Sequence, residues 1–258
     1  MATPRVLVLR APGTNCDFET AHAFERAGAE TQRIHINRIL ENPDLTKDFQ
    51  ILCIPGGFSY GDDVAAGRIL ANQMRNHLAE VMREFKASDK LLLGICNGFQ
   101  VLIKSGILLD DNENGDPPAT LCWNDHGRYE DRWVHLKTTS DKCVFLRGID
   151  QIYLPIAHAE GRFVMAGEHV AASLQSCDQL ALAYTTPAGD DATGFPDNPN
   201  GAELNVAGVC DTSGRVFGLM PHPERFIDGT QHPRWTREGL QAEGAGMAIF
   251  RNAVEYFA

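Results

Sequence analysis

Leu91-Leu92-Leu93-Gly94-Ile95-Cys96-Asn97-Gly98-Phe99-Gln100 is an apolar run that meets Gly-x-Cys-x-Gly and continues into Val101-Leu102-Ile103, a sequence able to form a helix. A strand that turns sharply at a nucleophile and leaves as a helix is a nucleophile elbow, here with cysteine in the place of serine. The glycines suit it because the nucleophile of such a turn has a strained backbone, with neighbours pressed close on both sides. The turn throws the side chain clear of the sheet. It also leaves the amides of the first helical turn, beginning with Asn97, free to bind a developing oxyanion. Taken alone, the motif equally fits a buried free cysteine, the usual state of that residue.

Outward from the elbow, the first part of the chain alternates strand and helix. Arg5–Leu9 reads as a buried strand, 18–27 as a helix closed by Gly28, 30–36 and 49–54 as strands, and 64–85 as one long helix before the strand at 90–95. Such alternation implies a parallel sheet with helices on both faces, and sites in these folds lie at the carboxyl ends of strands. Gly56-Gly57 and Cys96 both fall there. After Gly106 the pattern becomes short strand-like pieces at 121–123, 131–136, 151–156 and 180–184, an antiparallel excursion. Residues 185–202, rich in Gly, Pro, Asn and Asp, read as a surface loop, 204–220 as a hairpin and 243–257 as a terminal helix. The expectation is an α/β fold: a single flavodoxin-like or Rossmann-like, mostly parallel sheet with flanking helices, in one domain over 4–258, with 228–258 as a C-terminal extension.

Composition narrows the partners. A formal charge of −11 argues against nucleic acid and against anionic membrane surfaces. The seven cysteines (16, 53, 96, 122, 143, 177 and 210) are odd in number, widely spaced and without a C-x-x-C pair, so neither a disulfide framework nor a zinc site is suggested. No apolar run is long enough to span a bilayer, and Met1-Ala2-Thr3-Pro4 leads into strand-like sequence without a signal peptide. A cytoplasmic setting is the expectation.

A second signature is Met220-Pro221-His222-Pro223-Glu224-Arg225. Each proline fixes its own φ and pushes the residue before it towards extended geometry, where residues i and i+2 share a side. His222 and Glu224 are then a base and the carboxylate that orients it, the remaining parts of a triad with Cys96. A turn histidine with a chance acidic neighbour is the plainer reading, weakened by the upstream elbow. A third signature is Pro55-Gly56-Gly57-Phe58-Ser59-Tyr60-Gly61-Asp62-Asp63. Its glycines can present backbone N–H groups to an anion, and Gly57 is the expected second oxyanion donor beside Asn97. A phosphate loop competes, but no Gly-Lys-Ser/Thr follows. Gln100, one turn beyond Cys96, faces the same way and is a candidate substrate contact or a plain helix-surface residue.

With these pieces in place the chain resembles the class I, triad-type glutamine amidotransferases, and among them the glutaminase subunits of phosphoribosylformylglycinamidine synthase. The matching segments are Ala11–Asp17, Gly56–Asp62, Gly94–Gln100, Pro155–Arg162 and Met220–Arg225. Ala159 and Ala202 depart from the pattern, and 124–133 is as close to the fused form of the enzyme as to the separate subunit. The resemblance implies Cys96 as nucleophile with His222 and Glu224, and hydrolysis of glutamine to glutamate and ammonia. It implies no metal or cofactor in this chain. It also implies a synthetase partner that uses ATP and Mg²⁺ to convert formylglycinamide ribonucleotide to its amidine, with a small bridging subunit. Two other readings compete. A cysteine-elbow α/β-hydrolase places its acid before its histidine, whereas Glu224 follows His222. A non-catalytic interaction subunit would have no use for a complete set of Cys96, His222 and Glu224.

Overall fold

The computed structural model describes residues 3–111 and 115–258. Met1 and Ala2, the start of the segment read for a signal peptide, lie outside the described residues. Along the chain run β1 (Arg5–Arg10), α1 (Asp17–Arg26), β2 (Glu30–His35), α2 (Ile36–Glu41), β3 (Ile51–Ile54), α3 (Arg68–His77), α4 (Ala79–Ala87), β4 (Leu91–Ile95) and α5 (Asn97–Lys104). Then follow β5 (Ala119–Cys122), β6 (Glu130–Thr138), β7 (Gln151–His158), β8 (Arg162–Met165), α6 (Glu168–Ser176), β9 (Leu180–Thr185), β10 (Val206–Cys210), β11 (Val216–Leu219), α7 (Trp235–Glu238) and α8 (Met247–Glu255).

Nine strands form one sheet in the order β2-β1-β3-β4-β11-β10-β9-β6-β7, and β5 pairs with β8 in a separate ribbon. The pairs from β2 to β11 are parallel, and those from β11 to β7 are antiparallel. The antiparallel excursion therefore continues the main sheet. Strands β3 and β4 are buried on both faces, as expected where helices cover a parallel sheet. Their register sets the site: Ile54 pairs with Gly94, and Gly94 with Gly218. The carboxyl ends of β1, β3, β4 and β11 thus stand side by side, and the loops leaving them carry Cys16, Gly57, Cys96 and His222.

Three expectations are corrected, and one segment without an expectation takes on structure. The helix expected over 64–85 is two helices: residues 63–67 are turns, and Leu78 (φ −123°, ψ 9°) breaks the run between α3 and α4 while its side chain stays in the core. Apolar spacing does not see a backbone break that keeps the buried face aligned. The segment 162–176, unassigned from sequence, forms β8 and α6, each short and amphipathic only in its tertiary setting. The terminal helix begins at Met247, because 243–246 form turns that run against the carbonyls of Pro223 and Phe226. The end of the loop at 185–202 is not on the surface. Asn200 is fully buried, and its amide donates to the Gly161 carbonyl at 2.9 Å, so side-chain amides there satisfy buried backbone.

Helix α8 belongs to the core. Phe250 is fully buried and meets Phe24 of α1 edge to face, with ring centroids 4.9 Å apart. Phe250→Ala should cost about 3–5 kcal/mol, the usual range for deleting a buried aromatic. Urea denaturation reads this as a lower midpoint at unchanged slope; an unchanged midpoint would show that α8 is not part of the cooperative core.

Candidate active site

The elbow exists and it is strained. Cys96 has φ 50° and ψ −103°, a region that non-glycine residues rarely enter, at the junction of β4 and α5. Its N–H donates to the Leu219 carbonyl of β11 at 2.7 Å, which pins the turn to the neighbouring strand. Gly98 shows why the motif needs its glycine. A Cβ there would lie 1.8 Å from the Ile54 carbonyl oxygen, so any side chain would force α5 away from β3. Cys96 itself is buried, and its thiol lies 3.8 Å from the Ala157 carbonyl.

His222 is held beside it. Its N–H donates to the Pro155 carbonyl at 2.8 Å, and its Nδ1 is 2.6 Å from Glu224 Oε1. The pairing matches the expectation, but its geometry does not. Residues 223–225 form a short 3₁₀ turn that folds Glu224 back under the imidazole, in place of an extended segment that presents both on one side. His222 and Glu224 are almost completely buried, and His222 Nε2 has no hydrogen-bond partner among the described residues. Burial alone would push the imidazole towards neutrality. The charges of Glu224 and Cys96 outweigh it and raise His222 well above the usual histidine range.

Cys16 was not legible as part of the site. It follows β1, and its Sγ, a nitrogen of His222 and an oxygen of Glu224 all lie within 4.8 Å of one another. These are metal-ligand atom types. However, the Arg225 guanidinium donates to Cys16 Sγ at 3.2 Å and to Glu19 at 3.1 Å, a positive charge where a cation would have to enter. The thiol extends the His222–Glu224 pair, and burial pushes its pKa up. The signals available in sequence were its place after β1 and within the matching segment Ala11–Asp17, and neither shows that it faces the site; the adjacency of β1 to β3 and β4 appears on folding.

The expected oxyanion donors stand as follows. Gly57 (φ +136°) bridges Thr14, with Phe58 N–H on the Gly13 carbonyl at 3.1 Å and Cys16 N–H on the Gly56 carbonyl at 3.3 Å. The Gly57 and Asn97 N–H groups have no protein acceptor among the described residues. Gly57, Cys96 and Gln100 line one cavity of about 200 Å³, together with Asp62, Trp123 and Glu160. Gln100 is buried, and its amide is committed: Nε2 donates to the Glu160 carbonyl at 2.6 Å, and Oε1 accepts from Asn97 Nδ2 at 3.0 Å. Asn97 also donates to Asp62 at 3.0 Å and accepts from the Ser59 N–H at 3.2 Å, so the loop after β3 is tied to α5. Burial raises the Asp62 carboxyl, against hydrogen bonds from Gly67 and Asn97 that lower it.

A cysteine on a strained elbow at a small cavity, a buried His–Glu pair beside it and the uncommitted Gly57 and Asn97 amides are the parts of an acyl-transfer site. Residues 3–257 match the CobB/CobQ-like glutamine amidotransferase domain. The chain belongs to this family. It is 49% identical to the phosphoribosylformylglycinamidine synthase subunit PurQ of Dehalococcoides mccartyi, over 99% of this chain and 98% of that one. It is 44% identical to PurQ of Methanococcus maripaludis, over 98% and 97%. Among solved structures, a chain of PurLQS from Thermotoga maritima matches with TM-score 0.74 at 30% identity, covering all of both chains. A second Thermotoga maritima glutamine amidotransferase shares the fold alone, with TM-score 0.57 at 14% identity over 99% and 98% of the two chains.

Membership makes the activity a glutamine amidotransferase activity, and the His222–Glu224 contact then has a measurable consequence. The carboxylate stabilises the imidazolium, so removing its charge lowers the pKa of His222. In Glu224→Gln the alkaline limb of the kcat/KM profile for glutamine, where the imidazolium loses its proton, should move to lower pH, with a smaller kcat. An unchanged limb would detach Glu224 from the titration.

Proposed function

We propose that this chain hydrolyses glutamine to glutamate and ammonia through Cys96, His222 and Glu224, and supplies the ammonia to a synthetase that converts formylglycinamide ribonucleotide to its amidine. The observation that carries the reading is the buried 2.6 Å contact between His222 and Glu224 beside a cysteine with a strained backbone. A free thiol titrates near pH 8.5, so an adjacent imidazolium is needed to hold the thiolate at neutral pH. The Cys96 thiolate attacks the carboxamide carbon, and the charge that develops on oxygen is taken up by the Gly57 and Asn97 N–H groups. One such donor is typically worth about 10²–10³ in rate. His222 protonates the leaving nitrogen, ammonia departs, and a thioester remains on Cys96. His222 then takes a proton from water as it attacks the thioester, which releases glutamate and the free thiol. Gln100 acts by bracing the cavity wall through Asn97 and Glu160.

The relatives are named as subunits, and one solved neighbour is a chain of PurLQS. These names support a synthetase partner and a further subunit; ATP and Mg²⁺ are expected on the synthetase, where the amidine is made. Ammonia released into water at neutral pH is mostly protonated and no longer nucleophilic, so hydrolysis is useful only beside a waiting acceptor. Docking can impose that coupling by turning a peptide near Gly56-Gly57, where glycine makes the flip inexpensive. Seven unpaired cysteines fit a reducing cytoplasm, and no helix among the described residues is long and apolar enough to cross a membrane.

The test is reconstitution with the synthetase, ATP and formylglycinamide ribonucleotide. Glutamate production by this chain should rise on docking. Cys96→Ala should lose glutamine-dependent amidine formation by about 10⁴-fold or more, yet still allow amidine formation from an added ammonium salt. Glutamine-dependent turnover by Cys96→Ala at the wild-type rate would refute the assignment.

A further inference from the structure

The cavity beside Cys96 has a charge pattern that the hydrolytic step leaves unused. Apart from the nucleophile, its titratable lining consists of Asp62, Glu160 and His158, and no Lys or Arg lines it. Glu160 is neutralised: its carboxylate accepts from the Ala66 N–H at 3.2 Å and lies 3.6 Å from the Lys104 ammonium. His158 is uncharged, because burial holds it down at about 3. Its tautomer is fixed as well. Asn124 donates its amide N–H groups to the carbonyls of Arg128 and His158 and accepts from the Gly161 N–H, so His158 Nδ1 must be the donor to Asn124 Oδ1. Nε2 is left as a buried bare acceptor with no partner among the described residues.

Asp62 is the remaining charge, and no cation pairs with it directly: Lys104, beside Glu160, acts on it only from a distance. Oδ1 accepts from the Gly67 N–H at 3.2 Å and from Asn97 Nδ2 at 3.0 Å, while Oδ2 has no donor among the described residues. No Lys or Arg lies within salt-bridge reach of the carboxylate among those residues, in contrast to Glu160. The Asn97 contact joins it directly to the residue that follows the nucleophile. A half-buried carboxylate and a buried bare acceptor, in a lining without a cation, suit a group that brings both positive charge and several N–H donors. Glutamine has one such group. With the carboxamide at Cys96, its α-ammonium lies at the other end of a short three-carbon chain.

We propose that Asp62 receives the α-ammonium of glutamine, so that the cavity selects an α-amino acid amide over the same amide without the amine. This rests on the glutaminase reading above. Glu160, already paired with Lys104, shapes the wall and takes no part in the selection.

The probe is 5-amino-5-oxopentanoate, which has the carboxamide and carboxylate of glutamine but hydrogen in place of the amine. In the reconstituted complex, wild type should favour glutamine over this analogue by about 10–100-fold in kcat/KM, the range for a charge-assisted hydrogen bond. Asp62→Asn keeps the oxygen that accepts from Gly67 and Asn97. It should raise KM for glutamine far more than for the analogue and so remove most of the preference. Asp62→Glu should restore part of it. Iodoacetamide alkylation of Cys96 reports whether the elbow is intact, and if Asp62→Asn has lost it, Asp62→Ser with intact alkylation decides by the same two rates. Equal slowing of both substrates, or a wild-type preference kept without the carboxylate, would overturn the proposal while leaving glutamine hydrolysis standing. A wild-type complex that hydrolyses neither amide would instead refute the glutaminase reading and the proposal with it.

Discussion

The backbone of Cys96 is the constraint on which the rest of the structure depends. A residue at φ 50° and ψ −103° does not stay there unaided. It is held because β11 accepts its N–H at 2.7 Å and because α5 starts in contact with β3 through Gly98. Both contacts require β4 to lie between β3 and β11, which is the centre of the parallel half of the sheet. The thiol is thereby placed at the rim of the sheet while its backbone remains in the core.

The same strand order brings the chemistry together. Loops from four adjacent carboxyl ends supply Cys16, Gly57, Cys96 and His222, separated in sequence by as much as the distance from β1 to β11. A buried ion pair of this kind has a large desolvation cost, and its net contribution to stability is small or adverse. Its value lies in electrostatics: the imidazolium is favoured next to a carboxylate from which water is excluded. Around it, Asn97, Asp62, Gln100 and the Glu160 carbonyl form a hydrogen-bonded brace that fixes the loop after β3 against α5. The cavity beside Cys96 is lined by members of that brace and by the aromatic side chains of Phe58 and Trp123.

How much of this was legible in the sequence varied with the range of the interaction. The elbow was readable because its requirements are local: two glycines two positions either side of a cysteine, at the end of an apolar run. The pairing of His222 with Glu224 was readable too, though through a 3₁₀ turn and not the extended geometry that two prolines suggest. Cys16 and Asp62 lie in matching segments, but neither carries a local pattern that says it faces the site. Their roles come from strand adjacency and from the left-handed turn at Tyr60, Gly61 and Asp62. The break at Leu78 was invisible because its buried side chain keeps the helical apolar spacing. The burial of Asn200 was hidden because a run of Gly, Pro, Asn and Asp looks the same whether its amides face water or a carbonyl.

The central claim is that one thiol of seven, the one with the strained backbone, carries the acyl group. The most direct measurement is to acid-quench the reconstituted complex during turnover with isotope-labelled glutamine and to map the peptides by mass spectrometry. The labelled glutamyl group should be found as a thioester on the peptide that contains Cys96 and on no other cysteine. A thioester on Cys16, which shares the same imidazole, or sustained turnover with no labelled cysteine at all, would contradict it.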